Sequence, residues 1–131
     1  MVLDGSRSAP VVVETFELTT QEADVVEQAH DLATNLGNRV QGLQPDAAMI
    51  QRADFFRMAS NRDGPKFRLI TEGALAHAVR ARVPRTNILE GSEVAARGGK
   101  SKADLEAEAL ALVGDEDYCE AGCAALAILE P

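Results

Sequence analysis

Residues 19–43, TTQEADVVEQAHDLATNLGNRVQGL, decide the fold class. Val25, Ala29, Leu32, Leu36, Val40 and Leu43 recur at steps of four and three, which places them in one narrow apolar seam along an amphipathic helix. Thr19 followed three residues later by Glu22 has the form of a capping box, in which each side chain satisfies a free amide at a helix start. Gly37 with Asn38 offers an early bend or stop, and Gly42 to Pro45 closes the helix.

Toward the amino terminus, Val11–Leu18 (VVVETFEL) reads as a strand with Phe16 and Leu18 on one face and Thr15 and Glu17 on the other. Residues 1–10 are polar and contain Gly, Ser and Pro, the composition of a flexible lead-in. A strand must pair its amides and carbonyls. The chain offers one short partner, Thr86–Leu89, so the expectation is that the N-terminal strand pairs in trans with another subunit or another protein.

Toward the carboxyl terminus, Asp46 is placed to cap a second helix to about Ser60, with Met49, Ala53 and Phe56 on one face and Arg52 near the opposite one. Asn61 to Pro65 reads as a turn, and Ile70–Val83 as a third helix stopped by Pro84. Gly91–Lys100 (GSEVAARGGK) has weak apolar periodicity and adjacent glycines, which predicts a mobile loop. Ser101 with Asp104 starts a helix that Gly114 ends, and Asp115–Glu130 forms a last one. The expected architecture is mainly α: four to five helices with a minor β element, in a single domain over residues 11–131.

The 131 residues are 46% hydrophobic and 26% charged, which excludes a wholly disordered chain. No apolar run reaches the roughly 18–20 residues that span a bilayer, and residues 1–10 lack the basic start and apolar core of an export signal. A cytoplasmic protein, or one inside an intracellularly assembled particle, is expected. Cys119 and Cys123 lie four apart, which excludes a disulfide framework and fits a reducing compartment.

The net charge of −8 divides into −5 over residues 1–44, +4 over residues 45–100 and −7 over residues 101–131. A basic middle between acidic ends serves a nucleic-acid or acidic partner, or is neutralised by the ends. Arg52, Arg57, Arg80, Arg82 and Arg85 are the candidate binding residues there, and helices joined by the 61–65 turn would imitate a helix-turn-helix. The turn is too long for that motif, acids interrupt the bases, and the chain has no Trp for stacking bases.

Three smaller constellations carry residue types used in binding sites. GGKS at Gly98–Ser101 resembles part of a phosphate-binding loop but has Val94 where the full pattern needs glycine, so a capped loop is the better reading. Glu27 and His30 form the Glu-x-x-His step of bundle metal sites, yet Asp54 is the one obvious facing carboxylate. Cys119 and Cys123 lack a second pair to close a zinc site and carry acidic neighbours that oppose a thiolate. No catalytic residue, cofactor or metal is expected from these patterns. The function that follows is a non-catalytic assembly or protein-interaction subunit, such as a structural or virion-type component, acting as a homo-oligomer and on another protein. Val11, Val13 and Phe16 join the arginines as its contact residues. A nucleic-acid-binding regulator using residues 52–85 is the alternative, and a helical metal protein using Glu27 and His30 a second one.

Overall fold

The computed structural model describes residues 1–52 and 63–131. Among these residues it is mainly α with a minor β element: five α-helices and four short strands in two two-stranded sheets. The chain divides into two compact units. One holds residues 1–16, 49–53 and 87–131, the other residues 17–48 and 54–86.

In the first unit, β1 (Val2–Ser6) and β2 (Ala9–Glu14) form an antiparallel hairpin. Two expectations are corrected here: residues 1–10 are not a lead-in but contribute a whole strand, and the N-terminal strand finds its partner in cis. The polar run Asp4–Ser6 hid β1. Gly5 is glycine because its φ is +88° and an added Cβ would strike the Ala9 carbonyl oxygen. β3 (Ala48–Gln51) and β4 (Thr86–Leu89) make the second sheet. The amide of Ala48 donates to Arg85 O and that of Arg52 to Leu89 O, so both indices rise together and the strands run parallel. β4 has the bounds its sequence implies. β3 corrects the helix expected from Asp46 to Ser60, whose remainder from 53 onward lies outside the described residues.

Helices α3 (Gly91–Arg97), α4 (Lys102–Val113) and α5 (Cys119–Ile128) complete this unit. Val94, Ala95, Leu105, Ala109, Cys123, Leu126 and Ala127 form its core, with Leu3, Met49 and Leu89 packed against it. Burying each larger aliphatic side chain contributes about 1.5–3 kcal/mol. Gly122 lets α5 approach α4, since a Cβ there would lie 3.0 Å from that of Ala109. The loop expected at 91–100 is corrected to α3 with a tight exit. Glu90 and Glu93 form a capping box built on glutamate rather than Ser or Thr, and three buried residues, Gly91, Val94 and Ala95, hold so short a helix. Ser101 caps α4 by accepting from the Asp104 amide, and Gly114 ends it at φ +74°, both as the sequence implies. Asp115 opens a 3-10 turn, Glu116–Tyr118, ahead of α5.

The second unit pairs α1 (Val25–Leu43) with α2 (Asp63–Arg80). The cap of α1 is Asp24, which accepts from Val26 N at 2.9 Å and Glu27 N at 3.2 Å, in place of the Thr19–Glu22 box. Ala29 and Val40 are buried on the seam, and Gly37 is buried beside it. The helix passes through Gly37 unbroken, and the Arg82 guanidinium lies over it: a Cβ at Gly37 would sit 2.7 Å from Arg82 Cζ. α2 starts well before Ile70. Gly64 and Pro65 fall in its first turn, where the amide that proline lacks has no intrahelical acceptor to lose.

Candidate interaction surface

The hairpin is held from its turn. Arg7 N donates to Glu130 O at 2.8 Å. The Arg7 guanidinium donates to Leu129 O at 3.0 Å, Ala127 O at 3.2 Å and Gly98 O at 3.4 Å. These carbonyls lie at the ends of α5 and α3, where helix dipoles place partial negative charge, so one cation terminates two helices. The sequence reading missed Arg7. The available signal was an isolated cation in a segment of net charge −5.

On this anchored hairpin, burial alternates along β2. Val12 faces inward with its partner Leu3, while Val11 and Val13 are 58% and 57% exposed. Two β-branched apolar side chains thus stand exposed on β2, the second of them at a shift of pairing register, since Leu3 faces Val12 and Val2 faces Glu14. Phe16 follows beyond the end of β2 and is half-buried, less open than Val11 and Val13.

The candidate arginines are divided between the two units. Arg52 sits after β3, paired with Glu90 at 2.6 Å, in the first unit. Arg80, Arg82 and Arg85 are exposed in the second unit. Arg82 spends one nitrogen on Ala78 O at 2.9 Å and its plane on Gly37. Arg57 lies outside the described residues.

In the GGKS segment, Lys100 Nζ is paired with the Glu108 carboxylate, and Ser101 Oγ bonds Asp104 Oδ2 at 2.6 Å. The groups a phosphate would need are thus engaged with carboxylates. Glu27 and His30 are both exposed on α1, and among the described residues no three His, Cys, Asp or Glu side chains are grouped to hold a metal ion. Cys119 and Cys123 line a cleft with Gln51, Lys102 and Glu106 that has room for about 30 Å3, the space of a water or two. The Cys119 thiol donates to Glu106 O at 3.5 Å. Burial, then the neighbouring Cys119 and Glu106, pushes the Cys123 thiol up to about 12, so it is protonated and a poor nucleophile at neutral pH. No helix among the described residues is long and apolar enough to cross a membrane. Comparison of the chain with models of protein families, with curated proteins and with solved structures finds no match.

Proposed function

We propose that the protein is a non-catalytic interaction subunit that assembles through the outer side of its N-terminal hairpin. The observation that carries this reading is the exposure of Val11 and Val13 on a hairpin pinned by Arg7 to the ends of two helices. An apolar pair on a fixed scaffold presents its contacts at low ordering cost, which favours association. A two-stranded hairpin alone is marginally stable in water and gains from a further strand or a covering surface. The nucleic-acid reading has less support: Arg52 and Arg82 already hold partners, and the arginines belong to two units.

Light scattering coupled to size exclusion over a concentration series tests this. The intact chain is expected above its monomer mass of 13.9 kDa, and Val11→Asp with Val13→Asp is expected to return it to the monomer with unchanged helical circular dichroism. A monomer at every concentration would remove the self-assembly reading.

A further inference from the structure

Independently of the hairpin, we infer that Cys119 and Cys123 form a two-thiolate site for one soft monovalent cation, copper(I), within the first unit. The two residues stand one turn apart on α5, where side chains four positions apart share a face and their Cβ atoms lie about 5–6 Å from each other. Both line the same small cavity, with Gln51, Lys102 and Glu106 around them, and all of these belong to one unit. They are near enough for Cys119 to act on Cys123 by charge and by hydrogen bond. A zinc–thiolate bond is about 2.3 Å long and copper(I) is of similar size, so a linear sulfur–metal–sulfur unit spans about 4–5 Å, within reach of two thiols so placed.

The size of the cavity selects the class of ligand. Room for about 30 Å3 admits one ion, and it is far below the roughly 300 Å3 at which pockets for small molecules begin. The donors then select the ion. Thiol sulfurs are soft ligands that favour copper(I) over the hard cations that seek oxygen. Zinc asks for four ligands, and among the described residues no third His, Cys, Asp or Glu side chain joins the pair. Copper(I) is satisfied by two thiolates in line.

Binding forms two sulfur–metal bonds, releases the two thiol protons to solvent and leaves the copper in its monovalent state. A bound soft cation deprotonates a coordinating thiol outright, so the protonated Cys123 of the empty protein does not bar the site. The bis-thiolate complex carries one negative charge, which the ammonium of Lys102 offsets from the cavity wall, where it lies 3.9 Å from Glu106. Gly91 leaves the space beside that ammonium clear, since a Cβ there would lie 3.5 Å from Lys102 Nζ and 3.4 Å from Gln51 Nε2. The partly exposed Cys119 gives the ion its way in, and the buried Cys123 holds it from within.

Anaerobic titration of the intact chain with copper(I), supplied as its complex with the chromophoric chelator bicinchoninate, tests the site. One equivalent per chain is expected to leave the chelator, and Cys119→Ala and Cys123→Ala are each expected to lower the affinity by about 100-fold or more. Silver(I), a redox-inert substitute, is expected to bind with the same stoichiometry, to raise the urea midpoint of the intact chain and to slow alkylation of Cys119 by about ten-fold or more. The silver measurements use the unsubstituted chain, so they decide the matter even if a cysteine variant fails to fold. Half an equivalent per chain, full affinity in either single variant, or an intact folded chain that binds copper(I) no more tightly than the same chain unfolded in urea overturns the proposal.

Discussion

The guanidinium of Arg7 lies 3.0 Å from the carbonyl oxygen of Leu129, joining the first hairpin to the end of the last helix. Because the same group also reaches Ala127 and Gly98, its removal strands several helix-end carbonyls at once. Hydrogen bonds from charged groups are worth about 1.5–3 kcal/mol each, so Arg7→Met is expected to cost on the order of 2–4 kcal/mol in urea unfolding. Arg7→Lys is expected to recover only part of this, since an ammonium cannot reproduce the planar fork. A loss under about 0.5 kcal/mol would show that the clamp is a surface contact.

Gly37 and Arg82 form a coupled pair. Gly37→Ala inserts a methyl where the guanidinium lies, forcing Arg82 off Ala78 O and offsetting the roughly 1 kcal/mol that alanine gains over glycine in a helix. In an Arg82→Ala background the same substitution is expected to stabilise by about 1 kcal/mol. A double-mutant cycle measures the difference, and simple additivity would remove the contact as the reason for this glycine.

Cys123 gives a pH dependence whose sign is fixed. Its thiol holds its proton more tightly folded than unfolded, at about 12 against an ordinary 9.0. Its contribution to stability is thus complete below pH 9 and is lost as pH rises from there toward 12. Cys123→Ala should flatten the alkaline fall of the urea midpoint. At neutral pH an alkylating reagent should label the partly exposed Cys119 well before the buried Cys123. Equal labelling rates would contradict this.

For nucleic acid, the intact chain is expected to show no DNA binding at physiological salt. Arg52 and Arg82 are occupied and the net charge of −8 repels phosphate. Binding with a steep logarithmic salt slope, about one unit per phosphate contact, would restore the regulator reading.

The sequence made legible those elements whose chemistry is local. Ser101 with Asp104, Gly114 and the four residues of β4 read correctly, because a cap or a short β-branched run needs no distant information. β1 was hidden, since a strand interrupted by Asp4-Gly5-Ser6 is recognisable only beside its partner. α3 was hidden for a related reason: its cap uses glutamates, and its three buried residues mean little until α4 and α5 stand beside them. Gly37 read as a breaker because nothing in its neighbourhood announces Arg82, forty-five positions away. Val11 and Val13 are exposed, although the reason first given for singling them out, an unpartnered strand, does not hold. The charge pattern left open whether the arginines are exposed, and Arg80, Arg82 and Arg85 are, while Arg52 belongs to the other unit.

The division of the chain also orders events during synthesis. The unit holding Val25–Leu43 and Asp63–Arg80 has all its residues once position 86 has left the ribosome, and its helices can pair at that stage. The hairpin must wait for α3 and α5, because the Arg7 guanidinium has no carbonyl at Leu129 until that residue exists. For that interval Val11 and Val13 belong to a hairpin without its anchor, the kind of transiently exposed strand on which nascent chains stick to one another. Closing so long a loop last makes the joining of the ends, rather than helix pairing, the slow and vulnerable stage of folding.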